Sequence, residues 1–150
     1  MPDAAARVSC RLPPAAASLL QSGVMIQGIE HTAVASPDPD RLANFYVQYL
    51  DFTVNYHSEK SRTYFVRTKD HSMLEIILAD TAPQPQNFTE AGLRHLALTT
   101  DDFDADYARL KAAKVKFLTE AEVRGGNRVV FFHDPDGNIV HLIQRPEPLP

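Results

Sequence analysis

The chain of 150 residues has one cysteine, Cys10. A single thiol makes no disulfide within the chain and suits a reducing compartment, so the cytoplasm is the expected location. No apolar run approaches the roughly 20 residues that a membrane-spanning helix needs. The net charge is −4, with no long run of either sign. A nucleic-acid binder shows a basic patch or stripe, and an anionic membrane surface asks for the same, so neither is an expected partner. Short-range motifs are missing as well. There is no HExxH and no CxxC, and Gly125-Gly126 does not sit between a strand and a helix as a phosphate loop would.

What remains is the composition of an ordinary folded domain. The 44% hydrophobic and 23% charged fractions are globular values, and the length is enough for one sizeable core. Residues 1–24, MPDAAARVSCRLPPAAASLLQSGV, differ from the rest. Pro13 and Pro14 split any apolar segment there, which argues against a signal peptide. A segment without apolar periodicity is expected to be a disordered extension, and Met25 stands directly before the first rhythmic stretch. The expected domain is therefore 25–150, with module one at about 26–79, a connector at 80–91, module two at about 92–144 and a tail at 145–150.

Residues 26–35, IQGIEHTAVA, read as a strand. Asp38 is a good helix N-cap and Pro39 fits the first helical position. Leu42, Phe45, Tyr46, Tyr49 and Leu50 then form one apolar stripe of an amphipathic helix. Three strands follow, around 52–58, 62–68 and 72–79, with Asp70-His71 as a turn. Residues 80–91 hold two prolines and little periodicity, and read as a connector. Then the order begins again. GLRHLALTT reads as a strand, Asp101 or Asp102 as a helix cap, and strands are expected near 115–119, 127–133 and 138–144. Asp-Pro-Asp-Gly-Asn between the last two is a strong turn signal.

The pattern is βαβββ twice. His95 follows His31 by 64 residues and His141 follows Glu75 by 66, so the copies align at a nearly fixed offset. Two copies with so long a period suit a pseudo-symmetric domain rather than a solenoid. In a strand, residues two apart share a face. His31 then lies with Ile29 and Ala33, Glu75 with Met73 and Ile77, His95 with Leu93 and Ala97, and His141 with Ile139 and Ile143. Each ionisable group is set among apolar neighbours, where an unpartnered polar group is costly. Taken alone, each histidine is more often a core or surface residue than a ligand. Glu75 within MLEIIL is harder to dismiss, because glutamate almost never buries unpaired. A divalent ion between the half-sheets would satisfy all four. Zn, Ni, Mn, Co and Fe(II) all suit three imidazoles and one carboxylate.

The stretches IEHTAVASPDPDRLANFYVQYLDF, MLEII, GLRHLALTTDDFDADYARLKAA and VVFFHDPDGNIVHLIQ resemble the vicinal-oxygen-chelate superfamily. This group includes glyoxalase I, bleomycin-resistance proteins, fosfomycin-resistance enzymes and extradiol dioxygenases. The resemblance implies an α+β fold of two βαβββ modules in a pseudo-symmetric, cup-shaped mixed sheet with flanking helices. It implies one divalent metal ion held by His31, Glu75, His95 and His141, and a small oxygenated substrate chelated through neighbouring oxygens. It also implies a homodimer, with the site either in one chain or shared between two. Many relatives have a glutamate where this chain has His141, and a glycine where it has Lys114. Glu75 and His141 are the expected proton-transfer groups of an isomerase- or lyase-like reaction. The alternatives are an Fe(II) extradiol dioxygenase using His31, His95 and Glu75, and a binding protein without catalysis. His57, His71 and His133 are expected to be solvated, and Phe65, Phe131 and Arg67 to be core or pocket lining.

Overall fold

The computed structural model describes residues 26–84 and 86–149. The N-terminal extension expected at 1–24, with Cys10, lies outside the described residues. Two modules follow in chain order. The first contains β1 (His31–Ser36), α1 (Pro39–Leu50), β2 (Thr53–Ser58), β3 (Thr63–Arg67) and β4 (Met73–Leu78). The second contains β5 (Leu96–Thr99), α2 (Phe103–Ala112), β6 (Glu122–Arg124), β7 (Asn127–His133) and β8 (Ile139–Gln144). Each forms a four-stranded sheet, ordered β1-β4-β3-β2 and β5-β8-β7-β6. The first strand of each module pairs parallel with the last, and the other pairs are antiparallel. This is the expected α+β arrangement of two repeated modules.

Local chemistry explains the helices. Asp38 caps α1 by accepting from the Arg41 N–H at 3.3 Å, and Pro39 opens the helix. Asp102, rather than Asp101, caps α2 by accepting from the Ala105 N–H at 3.1 Å. Both helices give way to a left-handed residue, Asp51 at φ 61° and Lys114 at φ 57°. Glycine is the usual occupant of such a position, and this chain places Lys114 there.

Three expected elements differ. Residues 26–30 form no strand: Ile26 and Ile29 are almost fully exposed, and pairing begins at His31. His95 likewise stands just before β5 rather than within it. The strand expected at 115–119 is reduced to a single bridge from Phe117 to Phe132, and the edge strand forms at Glu122–Arg124. The Gly125-Gly126 turn, both residues at positive φ, sets that pairing by folding β6 onto β7.

One core draws on both modules. Leu42, Phe45, Tyr46 and Phe52 pack with Val66, Leu74 and Ile76 of the first sheet. The same cluster contains Phe103, Leu110, Val130, Phe132, Val140 and Leu142 from the second. A polar clamp joins the modules at its margin. The fully buried Tyr46 hydroxyl donates to Asp134 Oδ2 at 3.2 Å. Asp134 Oδ2 also accepts from the Asn138 side chain at 2.8 Å, and its Oδ1 accepts from the Asp136 and Asn138 N–H groups, both at 2.9 Å. Arg41 donates to the Pro135 carbonyl at 3.3 Å and to Asp136 Oδ1. Burial pushes the Asp134 carboxyl upward, while its hydrogen bonds from Asn138, Asp136 and Tyr46 oppose the shift. Burial, with the Asp134 charge next to it, holds the Tyr46 phenol well above its ordinary value.

Removing the Tyr46 hydroxyl leaves one oxygen of a buried carboxylate a donor short. Tyr46→Phe is expected to lower unfolding free energy by about 1–3 kcal/mol. Urea denaturation measures this, and an unchanged midpoint would remove the clamp from any account of how the modules hold together.

Candidate metal centre

Alternation within the strands decides where the four residues go. Val66, Leu74 and Ile76 point to the shared core, so Phe65 and Glu75 point the other way. Val130, Phe132, Val140 and Leu142 do the same in the second sheet, which turns Phe131 and His141 to its opposite face. In register, Glu75 stands between Ala33 and Phe65, and His141 between Ala97 and Phe131. Each sheet thus sets its final-strand ligand candidate between an alanine and a phenylalanine.

The first pair is in direct contact. His31 Nε2 lies 3.2 Å from Glu75 Oε2, with both side chains partly exposed. Two donors on one ion with bonds of about 2.1 Å are themselves about 3.0–3.5 Å apart, so this pair fits an ion as it stands. His31 Nδ1 is bonded to Glu30, and that bond, with the charges of Glu30 and Glu75, raises its pKa despite opposing desolvation. Phe65 meets the His31 ring edge-on at 5.4 Å.

The second pair joins two imidazoles. The His95 and His141 rings are 5.3 Å apart and nearly perpendicular. Both His141 ring nitrogens are shut off from solvent without a hydrogen-bond partner. Burial, followed by the positive charges of His95, Arg145 and Arg124, lowers the His141 pKa to about 4. The ring is therefore neutral at pH 7 with a free lone pair, the form in which imidazole binds metals. A half-buried imidazole whose two nitrogens are closed to solvent and unpartnered, beside a second histidine and repeat-related to a histidine–glutamate pair, fits a divalent ion chemically.

The single chain does not bring the two pairs together. Among the described residues, no three His, Cys, Asp or Glu side chains gather closely enough to hold an ion. The four candidates therefore stand as two pairs, one on each sheet, with both expected alternatives, a site within one chain or one shared between two, carried to the functional proposal. A cleft of about 510 Å³ contains none of the four. It lies where Asp51, Lys69 and Asp70 face Thr99, Asp106 and Arg109.

The other histidines join neither pair. His57 stacks on Tyr64 at 4.0 Å and is half-buried rather than solvated. His71 is exposed at φ 70° in its turn. His133 is also half-buried, and desolvation lowers its pKa. Two contributions were hidden in the sequence. Tyr46 reads as helix packing, and its hydroxyl has a partner only because the distant Asp-Pro-Asp-Gly-Asn turn folds against α1. Phe65 and Phe131, expected as core or pocket lining, flank the two pairs, a placement whose available signal was their common spacing of 66 residues, shared with Glu75 and His141.

The fold and the paired half-sites define a two-module βαβββ protein. Residues 28–142 match the model of the Glyoxalase/Bleomycin resistance protein/Dioxygenase superfamily, and the chain belongs to that superfamily. An uncharacterized protein of Shewanella frigidimarina (strain NCIMB 400) is 31% identical over 128 residues, spanning 80% of this chain and 95% of that one. Biphenyl-2,3-diol 1,2-dioxygenase 2 of Rhodococcus globerulus is 27% identical over 115 residues, or 75% of this chain and 60% of that enzyme. Among solved structures, a glyoxalase/dioxygenase from Nostoc punctiforme is similar with a TM-score of 0.70 at 20% identity. That match covers 81% of this chain and 92% of the other. No helix among the described residues is long and apolar enough to cross a membrane.

If His141 is kept for a ligand rather than for packing, an apolar ring should suit its pocket better. His141→Phe is expected to stabilise the metal-free protein by about 1–3 kcal/mol, the cost of an unmet buried polar group. Thermal and urea unfolding of the apoprotein check this, and a clear loss of stability would mean that the imidazole is already satisfied.

Proposed function

We propose that this chain is a divalent-metal enzyme of the glyoxalase-like type, acting on a small oxygenated organic substrate, with each site shared by the two chains of a homodimer. The observation that carries the metal reading is His141, a half-buried neutral imidazole whose two nitrogens are closed to solvent and unpartnered beside His95. His31 and Glu75 of one chain, with His95 and His141 of the other, would hold the ion. When bound, the ion supplies Lewis acidity toward neighbouring substrate oxygens. The donor set accommodates Zn, Ni, Mn, Co or Fe(II).

Sharing follows from the open face of the first sheet. Ala33 and Ala35 of β1 are exposed beside the half-open His31, and Tyr56 and Ile77 lie 56% and 37% exposed. A second copy laying its His95–His141 face there would cover this apolar surface and complete the ligand set. Isologous pairing gives two such sites per dimer.

Within the site, Glu75 is the one carboxylate and is assigned the proton transfer next to a substrate carbonyl. His141, weakly basic in its dry setting, serves chiefly as a neutral donor and secondarily as a proton relay. This division supports an isomerase- or lyase-like reaction. A lone cysteine in the sequence agrees with work in a reducing cytoplasm.

Similarity to a biphenyl-diol dioxygenase favours a second reading, Fe(II)-dependent oxygenation, in which His31, His95 and Glu75 form a two-histidine, one-carboxylate set. Anaerobic Fe(II) loading followed by oxygen uptake with catechols separates the readings. Uptake supports oxygenation, whereas proton–deuterium exchange at carbon next to a carbonyl, without uptake, supports the isomerase or lyase.

Metal content should fall about tenfold or more in Glu75→Gln and His95→Ala and be unchanged in His57→Ala, as elemental analysis after metal loading will show. A wild-type protein that takes up none of Zn, Ni, Mn or Fe would overturn the metal reading in favour of simple ligand binding. Sharing has its own test. Chains carrying His31→Ala with Glu75→Ala, and chains carrying His95→Ala with His141→Ala, should each be metal-free alone. Unfolded and refolded together, they should regain about a quarter of wild-type metal, because only mixed dimers contain one intact site. No recovery from well-mixed dimers would place the site within one chain.

A further inference from the structure

The same device stands beside each ligand pair. Phe65 is the register partner of Glu75 and lies edge-on to His31 at 5.4 Å and 85°. Phe131 is the register partner of His141 and stacks on its ring at 4.2 Å and 13°. Phe131 also meets His95 edge-on at 5.5 Å and 86°, so one benzene ring touches both imidazoles of the second module. It is itself braced by Phe88 from the connector, edge-on at 5.1 Å and 81°.

A metal-binding histidine is ordinarily oriented by a hydrogen bond from its second ring nitrogen to a carbonyl or carboxylate. His31 has such a bond, to Glu30. His141 has none on either nitrogen. What remains to fix the plane of its ring is the face of Phe131 and the edge of His95. Offset stacking of this kind contributes on the order of 0.5–1.5 kcal/mol beyond burial, enough to bias a two-fold rotation about the Cβ–Cγ bond.

We infer that Phe131 is a positioning residue of the second half-site, presetting His141 and His95 for a cation where a hydrogen bond does so for His31. The inference rests on the metal reading above. Stacking constrains the ring plane and leaves the tautomer open, so the pocket accepts whichever nitrogen the ion requires.

The test uses the full chain, with Zn and Co(II) alone as probes. Phe131→Leu keeps apolar bulk and removes the stacked face. It should bind both metals about tenfold or more weakly and alter the visible Co(II) spectrum. Phe131→Tyr restores the face and should return affinity to within about twofold and the spectrum to its wild-type shape. Phe132→Leu, on the core face of the same strand, should cost stability and leave the affinity of the folded protein unchanged. Equal affinity and spectrum in Phe131→Leu and wild type would overturn the inference, as would equal weakening in Phe131→Leu and Phe132→Leu. A wild-type chain that binds neither metal would instead sink the metal reading. NMR relaxation of the His141 ring in the metal-free protein keeps the positioning role testable even then. The ring should gain mobility in Phe131→Leu and not in Phe132→Leu, and an equally rigid ring in Phe131→Leu would refute the role.

Discussion

The buried Asp134 carboxylate ties the two halves of this molecule together. Asp134 would be costly where it is, in a largely desolvated margin of the core, without donors on both oxygens. Three of its donors come from its own turn, through Asp136 and Asn138, and the fourth is Tyr46 on the helix of the other module. Asp134 therefore gains its fourth donor only when α1 is docked against the turn, and Arg41 repeats the constraint at Pro135 and Asp136. Apolar packing between modules is non-directional. The carboxylate supplies the direction, and with it the relative placing of the two sheets.

From that placing, the rest follows by alternation. Once Leu74, Ile76, Val140 and Leu142 are committed to the shared core, Glu75 and His141 have the opposite faces, and no change of side-chain rotamer brings them back. Each sheet thus carries its own pair of ligand candidates on the face turned away from the core. What each sheet presents is an unfinished surface: a pair of donors, a flanking phenylalanine, an alanine that leaves space, and an apolar surround.

Much of this is legible from residues alone. Asp38 with Pro39, the stripe from Leu42 to Leu50, and the alternation around Glu75 and His141 are local signals, and each corresponds to an observed element. The edge strand at 122–124 was not legible, and one was expected at 115–119 instead, because the apolar residues Val115 and Phe117 pack against the core cluster while the ladder continues at 122–124. Helix packing and strand pairing ask for the same residue types there, and only the tertiary fold chooses. The pairing of Tyr46 with Asp134 across 88 residues has no local signature at all. The faces of the four ligand candidates could be read from period two, but not their separation, since periodicity reports a side of a sheet and not which sheet lies opposite.

The internal repeat is faithful in shape and unequal in charge. Ala33, Phe65 and Glu75 correspond to Ala97, Phe131 and His141, so among these three register positions one exchange, glutamate for histidine, separates the modules. With a carboxylate in one module and a neutral imidazole in the other, a dication held between them would be only half neutralised by its protein donors. Such a centre favours a ligand that arrives with, or develops, one negative charge, and it favours that ligand in one orientation. A duplicated domain begins with a two-fold axis through its middle, and at this position the axis has been abolished, leaving a site with a negative and a neutral end.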